Sequence, residues 1–288
     1  MTLRDQQQEL DRTGEWATVM SDDDTETAAD GALLNYDPDY LQKANAVVEF
    51  DPHVVFVEKP DENIHEYYVD GRKWQGSTTG YIHSFFSEFD ADKTIQGMRT
   101  SKSWGPKHKY WGMTDQDIKA RWEESNKDAG PLGHAMHARL EKFYNIPALF
   151  TLQRPPRDLL LEYYTEEEIE VTEFQQFLQY HAEWPSFRNW APFRTELRVF
   201  DRALEIPGSV DMLYWSPRST KENPLLILVD WKRSKEIKTK SFYSQKEKRF
   251  ITGKGPCADL PDCNYIHYSL QVNMYAALIE RNSPYRSA

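Results

Sequence analysis

Apolar residues in the C-terminal half of the chain change repeatedly between strand-like and helix-like spacing. We predict strands over residues 194–201, 208–215 and 225–231, where apolar positions follow a strand pattern. The third run is apolar at five successive positions before Asp230, which indicates a strand covered on both faces. The links between the runs are of hairpin length. The pattern therefore predicts a three-stranded antiparallel meander.

Helical spacing precedes and follows these strands. Apolar residues recur at a 3.6-residue period over residues 114–128, 133–144 and 165–184, and again over 268–281. Helices on both sides of a meander in the chain predict an α/β (α+β) core in which the helices flank the sheet.

The N-terminal part of the chain has a different pattern. Short apolar runs between Val47 and Trp74 predict strands, and Asp70-Gly71 indicates a hairpin turn. Ser77 is the expected cap of a helical stretch that extends to Phe89. We predict three regions: an acidic tail without regular structure over 1–35, a β-hairpin and helical subdomain over 36–128, and a core over 129–288 with a basic insertion over 233–265.

Charge is segregated along the chain. The formal net charge of −11 argues against a nucleic-acid partner when taken as a sum. Residues 1–30, however, hold nine acids against two arginines, whereas residues 232–254 hold nine lysines and arginines against two glutamates. A local basic segment can therefore still bind phosphates.

Neither a long apolar run nor a basic-then-apolar start is present in the sequence, so we expect no membrane span and no secretion signal. Two cysteines in 288 residues provide no disulfide framework. Both observations predict an intracellular protein of the cytoplasm or nucleus.

Two acids and a lysine are expected at one end of the meander. Asp211 comes early in the second strand and Asp230 late in the third, so an antiparallel pairing makes them neighbours. Lys232 is two residues beyond Asp230 and points to the same side. Paired carboxylates beside a buried strand require a compensating cation, which indicates a divalent metal. The alternative interpretation is a surface salt-bridge cluster at a strand end.

The motif Gly-x-x-Asp, followed by an apolar strand and Asp-x-Lys, resembles the PD-(D/E)XK nuclease superfamily in its RecB-type and lambda-exonuclease-like branch. The helix from Gly133 to Glu141 is similar to the family's histidine-bearing helix, and Gln271 to Tyr275 is similar to its Gln-x-x-x-Tyr motif. The resemblance covers about residues 129–281. It implies a restriction-endonuclease-like core and a metal-dependent nuclease that hydrolyses DNA phosphodiester bonds, with an exonuclease as the first expectation.

The resemblance also implies roles for individual residues. The cofactor would be Mg²⁺ or Mn²⁺, and a histidine ligand suits Mn²⁺ at least as well as Mg²⁺. Lys232 would orient or deprotonate the attacking water, and Gln271 and Tyr275 would position the phosphate. The implied metal ligands are His137, Glu196, Asp211, Asp230 and the backbone carbonyl of Trp231.

Nucleic acid is the expected partner, DNA first and RNA as the alternative. The basic segment leaves directly from Lys232, which favours an arm that follows the phosphates. The loop 101–112 interleaves basic and aromatic residues and could grip a strand, or its two tryptophans could simply pack inward. The predicted phosphate-binding residues of the arm are Lys235, Lys238, Lys240, Lys246, Lys248 and Arg249.

Other functions remain open at the level of sequence. An RNA or single-strand endonuclease of the same fold would use a similar residue set, and a non-catalytic nucleic-acid-binding protein or a protein-interaction domain would not need it. Two cysteines exclude a four-cysteine iron-sulfur cluster. Cys257, Cys263 and His267 could supply three ligands of a zinc site.

Overall fold

The computed structural model describes residues 36–45, 54–59, 64–74, 76–220, 223, 225–244 and 247–282. The predicted acidic tail and the apolar run that begins at Val47 lie outside these residues. The helices are α1 (Tyr40–Ala44), α2 (Thr78–His83), α3 (Ala91–Arg99), α4 (Asp115–Tyr144), α5 (Pro147–Phe150), α6 (Arg157–Leu161), α7 (Glu166–Glu170), α8 (Thr172–Glu183) and α9 (Asn264–Asn282). The strands are β1 (Val54–Lys59), β2 (Ile64–Val69), β3 (Arg72–Trp74), β4 (Ala191–Asp201), β5 (Ile206–Trp215), β6 (Leu226–Val229), β7 (Tyr243–Ser244) and β8 (Arg249–Phe250).

The fold is mixed α/β, with small antiparallel sheets flanked by helices. The central sheet has the order β4-β5-β6, and both strand pairs are antiparallel, which confirms the predicted meander. The third strand is shorter than predicted, because β6 ends at Val229. Asp230 and Trp231 therefore follow the strand instead of ending it. The backbone of these two residues takes no part in the pairing of β5 with β6, and the Trp231 N–H instead donates to the Asp211 carboxylate.

The two faces of the central sheet are buried by different helices. Met212 and Tyr214 of β5 belong to a core that also contains residues of α4 and α8. Leu213, which points to the opposite face, packs with Leu278 and Ile279 of α9. The sheet is thus enclosed between α4 and α8 on one side and α9 on the other.

The long helix α4 corrects the prediction of two separate helices. It begins with a capping box between Thr114 and Asp117 and runs for 30 residues through Pro131. A proline removes one backbone donor and usually ends or kinks a helix. Here apolar residues on both sides of it, among them Ile118 and Phe143, are fully buried, so packing outweighs the local cost. The boundary placed between residues 128 and 129 falls inside this helix.

The prediction of a single helix over residues 165–184 is also wrong, because this segment forms two helices, α7 and α8. Val171 between them is extended, with φ −61° and ψ 128°, and its side chain packs against the core. A capping box of Thr165 and Glu168 begins α7, which confirms the start of the predicted segment. The short helices α5 and α6 were not predicted.

The N-terminal subdomain is a three-stranded antiparallel sheet followed by helices. Asp70 and Gly71 both have positive φ, 50° and 73°, which confirms the hairpin turn, since this turn type requires left-handed backbone. The helix predicted to reach Phe89 is shorter and ends at His83. This subdomain packs directly on the core, because Thr78 Oγ1 donates a hydrogen bond of 2.9 Å to the Pro207 carbonyl of β5.

The basic insertion is mostly irregular. Within its described residues it forms the two-residue strands β7 and β8 and a short 3₁₀ helix, Gly255–Cys257. The last helix starts at Asn264, earlier than the predicted residue 268. Over the residues described, the structure contains no helix that is both long and apolar enough to cross a membrane.

Candidate metal centre

Three carboxylates lie side by side across the central sheet. Met212 pairs with Thr195 of β4, so the adjacent residues, Asp211 and Glu196, lie opposite one another. Val229 of β6 pairs with Met212, and Asp230, the next residue, lies close enough to Asp211 for its charge to raise the pKa of Asp211. Residues that face each other across antiparallel strands project to the same side of the sheet. Asp211 and Asp230 are therefore neighbours, as predicted, and Glu196 lies on the other side of Asp211.

Helix α4 adds a histidine to this row. The Nδ1 atom of His137 is 3.6 Å from Asp211 Oδ1 and 3.9 Å from Glu196 Oε1. One donor atom from each of these three residues lies within 4.8 Å of the other two. Throughout the described residues, no other set of three histidines, cysteines or acids comes this close. An imidazole nitrogen and two carboxylate oxygens can together hold a divalent cation.

The alternative zinc site is not formed. Cys257, Cys263 and His267 do not converge to such distances in the described part of the chain. Both thiols are buried, and the imidazole of His267 pairs with Asp262 at 3.0 Å. Cys257 instead packs against apolar residues of the N-terminal helix α2, a common environment for a buried free cysteine.

Asp211 is the most perturbed acid of the centre. Burial raises its pKa to about 7, with the carboxylates of Asp230 and Glu196 acting in the same direction and His137 and Lys232 opposing. The Trp231 N–H donates a hydrogen bond of 2.6 Å to Asp211 Oδ2 and fixes the carboxylate. A carboxylate that is held this way, and crowded by other acids, favours a cation beside it.

The pKa of His137 is also raised, but here the neighbouring carboxylates act against burial. Burial alone lowers the pKa of its imidazole, but the nearby Glu196 and Asp211 outweigh burial and raise the pKa above the usual value. The carboxylates around His137 thus favour a positive charge at this place, either a proton on the imidazole or a cation.

Glu196 is held in an unusual backbone conformation. Its φ is +44°, in the left-handed region that a residue other than glycine rarely adopts within a strand. The Ser209 hydroxyl of β5 donates a hydrogen bond of 3.0 Å to Glu196 Oε2. Strained residues of this kind concentrate at functional sites, where the surrounding packing maintains them. Ser209 was not among the predicted residues.

Asp230 forms an ion pair with Lys232 and does not belong to the group of His137, Glu196 and Asp211. Its Oδ2 atom is 2.7 Å from Lys232 Nζ, whereas its Oδ1 atom is buried without a hydrogen-bond partner. Burial raises the pKa of Asp230 against the opposing effect of Lys232. Lys232 Nζ also lies 5.5 Å from the ring centre of Tyr268. Asp230 thus holds the lysine in place and keeps one carboxylate oxygen available.

Gln271 and Tyr275 form a pair on α9, as their spacing predicts. Gln271 Nε2 donates a hydrogen bond of 2.9 Å to the Tyr275 hydroxyl, and both side chains are buried. Burial raises the pKa of Tyr275 well above its usual value, so the phenol keeps its proton at neutral pH.

These residues line one cleft of about 1580 Å³. Its floor is formed by His137, Glu196, Asp211 and Lys232, with Gln271 and Tyr275 beside them. Another part of the lining, called the wall below, comes from the N-terminal subdomain. The sequence carries no motif for that wall, because its residues approach the centre only through contacts between distant parts of the chain. The wall residues are Tyr67, Lys73, Trp74, Gly76, Ser77, Thr79, Gly80, Tyr81 and Ser84.

The predicted basic arm does not enter this cleft. Lys235, Lys238, Lys240 and Lys248 are exposed but are not among its lining residues. Arg249 is exposed and forms an ion pair of 2.8 Å with Glu247. Lys246 lies outside the described residues. The role of the arm in phosphate binding therefore stays a prediction.

The aromatic loop over 101–112 packs largely on itself. The rings of Trp104 and His108 lie 4.6 Å apart, and Trp104 also contacts Trp111 at 5.7 Å. Trp111 is 48% exposed, and Tyr110 accepts a hydrogen bond from Trp122 of α4. No residue of the loop is buried, and of its two tryptophans Trp104 is half-buried and Trp111 is exposed, so the expected inward packing of both tryptophans is not found.

Comparison with known proteins adds no relationship: no protein-family model matches the chain, and no match was found among curated proteins or solved structures.

Proposed function

We propose that this protein is a Mg²⁺- or Mn²⁺-dependent nuclease of the PD-(D/E)XK type that hydrolyses DNA phosphodiester bonds. The observation that carries the proposal is the convergence of His137, Glu196 and Asp211 at the floor of a cleft that Lys232 also lines. An exposed salt-bridge cluster would not need a fixed histidine, a buried aspartate and a strained glutamate on three different elements.

The donor set fits the proposed cofactor. One imidazole and two carboxylates leave coordination positions for water and phosphate oxygens, and the backbone carbonyl of Trp231 and the free Oδ1 atom of Asp230 remain predicted additional ligands. A bound Mg²⁺ or Mn²⁺ would supply a coordinated water of lowered pKa and stabilise negative charge on the phosphate.

The residues around the centre have complementary tasks. Asp230 orients the Lys232 ammonium towards the cleft, where it can donate a hydrogen bond to the attacking water or to a phosphate oxygen. The Tyr275 hydroxyl accepts from Gln271 and retains its own proton, so it can donate to another phosphate oxygen. Trp231 holds Asp211 through its N–H.

Substitution at the floor of the cleft tests this proposal. Asp211→Asn and Lys232→Ala should each reduce cleavage of DNA in Mn²⁺ by at least about a hundredfold, because removal of one group that stabilises transition-state charge typically has that effect. Two matched variants serve as controls. Asp201→Asn changes a carboxylate that is equally buried but lies outside the cleft, and Lys93→Ala removes an exposed lysine.

The outcome is measured on end-labelled and circular single-stranded DNA, duplex DNA and RNA, with folding checked by circular dichroism. Circular substrate that stays intact while linear substrate is degraded would support an exonuclease. If RNA were the only substrate cleaved, the proposed substrate would be RNA and not DNA. Full activity of purified Asp211→Asn would overturn the assignment, and Mn²⁺ binding without cleavage of any substrate would favour a non-catalytic nucleic-acid-binding protein.

A further inference from the structure

The wall that the N-terminal subdomain contributes to the cleft carries three aromatic rings. Tyr67 and Trp74 are paired opposite each other on β2 and β3, so both rings lie on the same face of the hairpin. Tyr81 of α2 also lines the cleft and is 45% exposed. Its ring forms a T-shaped contact with Phe85, with the centroids 5.1 Å apart and the planes at 90°, which helps to fix its position.

This wall is rigidly attached to the centre. Thr78, three residues before Tyr81, is fully buried and bonded to Pro207, and Ile82 on the next turn packs against α9. The Trp74 indole N–H donates a hydrogen bond of 2.8 Å to the Glu205 carbonyl. The aromatic rings therefore occupy fixed positions relative to β5, the strand that carries Asp211.

The point at which the wall is attached to β5 lies far enough from Asp211 for a short stretch of nucleic acid. Pro207 precedes Asp211 by four residues on β5, which corresponds to about 13 Å along an extended strand. Stacked nucleotides rise about 3.4 Å each, so roughly four of them cover this distance. At about 1580 Å³ the cleft is also larger than the roughly 300–1,000 Å³ of common small-molecule sites.

The charges of the cleft show that cations alone do not hold an anionic chain there. Its lining includes four carboxylates, from Glu141, Glu196, Glu205 and Asp211, but only two ammonium groups. One of these, Lys73, is in an ion pair with Glu66, and the other, Lys232, pairs with Asp230. Binding of a polyphosphate chain in the cleft therefore needs the divalent cation and a contribution other than charge.

We propose that the N-terminal subdomain is the base-binding wall of the nuclease, and that Tyr81 stacks on an unpaired base of a single nucleic-acid strand lying in the cleft. This inference rests on the proposed function, since the strand is the substrate of the same centre. Stacking on an exposed ring tolerates any base, because every base has a π face. It requires that the base is not paired, so the cleft takes one strand and not a duplex.

Binding of two oligonucleotides that carry equal charge tests the role of Tyr81. A fluorescent (dT)₁₂ and an oligomer of the same length composed of abasic residues are titrated with protein in Ca²⁺, and gels confirm that they stay intact. The wild-type protein should bind (dT)₁₂ at least about tenfold more tightly than the abasic oligomer, because stacking on one aromatic residue typically contributes this much. Tyr81→Ala should lose most of that difference and bind the abasic oligomer as the wild type does.

The controls separate stacking from folding and from catalysis. Tyr81→Phe keeps the ring and should keep the difference, whereas Phe187→Ala removes a 74% exposed ring outside the cleft and should leave it unchanged. Equal preference for (dT)₁₂ in wild type and Tyr81→Ala, equal binding of duplex and single strand, or no binding at all would overturn this inference. Cleavage is not required in the assay, so loss of activity in Asp211→Asn is judged independently of it.

Discussion

Glu196 shows how much of a residue's surroundings the sequence leaves open. The sequence motifs imply metal ligation by both Glu196 and Asp230. In the structure Glu196 lies beside His137 and Asp211, whereas Asp230 pairs with Lys232. The left-handed backbone of Glu196 and its bond from Ser209 are the reasons, and neither is encoded in local spacing.

The protonation state of the centre leads to a prediction about pH. Asp211 has a pKa of about 7 and that of His137 is raised, so both hold protons that a metal must displace. The affinity for Mn²⁺ should therefore rise with pH through about 7, by up to about tenfold per unit for each proton displaced, and level off once both groups are deprotonated. Without metal the effect on stability has the opposite sign. The raised pKa of Asp211 stabilises the fold at low pH, and this contribution is lost as the pH rises through about 7.

Calorimetric titration with Mn²⁺ at pH 6, 7 and 8 checks the prediction, and buffers of different ionisation enthalpy give the number of protons released. Tyr81→Ala serves as a control and should show the wild-type profile, since Tyr81 lies on the wall of the cleft. An affinity that does not change with pH, without proton release, would contradict the assignment of Asp211 as a ligand.

At the scale of elements, apolar periodicity predicts the order of the central sheet but not the ends of its neighbours. The meander β4-β5-β6 follows from alternation and hairpin-length links, which are local properties. The continuation of α4 through Pro131 and the break at Val171 depend on which side chains the core buries, so local breaker and helix signals are misleading there.

The contact between β5 and α9 leads to a prediction about Gly208. A Cβ atom at this position would lie 2.5 Å from Tyr275 Cε1 and 2.8 Å from Thr78 Oγ1, so Gly208→Ala must displace one or both residues. Overpacking of this kind should lower the free energy of unfolding by about 1–3 kcal/mol. It should also reduce activity, because the displaced Tyr275 loses its alignment with Gln271.

Urea denaturation and DNA cleavage of Gly208→Ala measure both effects. Gly97→Ala is the matched control, since a Cβ atom there meets nothing within 4 Å and alanine favours a helix, so this variant should be as stable as the parent or more so. Unchanged stability and activity of Gly208→Ala would mean that the approach of Tyr275 to β5 is not required for the site.

At the scale of the whole molecule, the cleft depends on long-range contacts that no sequence window contains. Thr78 and Pro207 are 129 residues apart, and the bond between them brings the N-terminal subdomain against the core. The motifs in residues 129–281 indicate the floor of the cleft, whereas the identity of its wall follows only from the folded chain. For the same reason the described lysines and the arginine predicted for the basic arm, adjacent to Lys232 in sequence, do not line the cleft in space.

Metal binding at this junction should affect the stability of the entire protein. Glu196, Asp211 and Asp230 repel one another when no metal is present, and His137 and Lys232 compensate this only in part, as the raised pKa of Asp211 indicates. A ligand that binds only the folded state at 100 times its dissociation constant raises the free energy of unfolding by about 2.7 kcal/mol. For a chain of 288 residues that corresponds to an increase in Tm of about 4–5 °C.

Thermal unfolding at pH 8 in Mn²⁺ and in chelator measures this increase. Asp211→Asn removes one charge from the row, so in chelator it should be at least as stable as the parent, and Mn²⁺ should then raise its Tm little or not at all. Asp201→Asn leaves the row intact and should show the full increase, even from a lower starting Tm. If Mn²⁺ stabilised Asp211→Asn as much as the parent, the ion would bind elsewhere on the chain, and the carboxylate row would have to be explained by the fold alone.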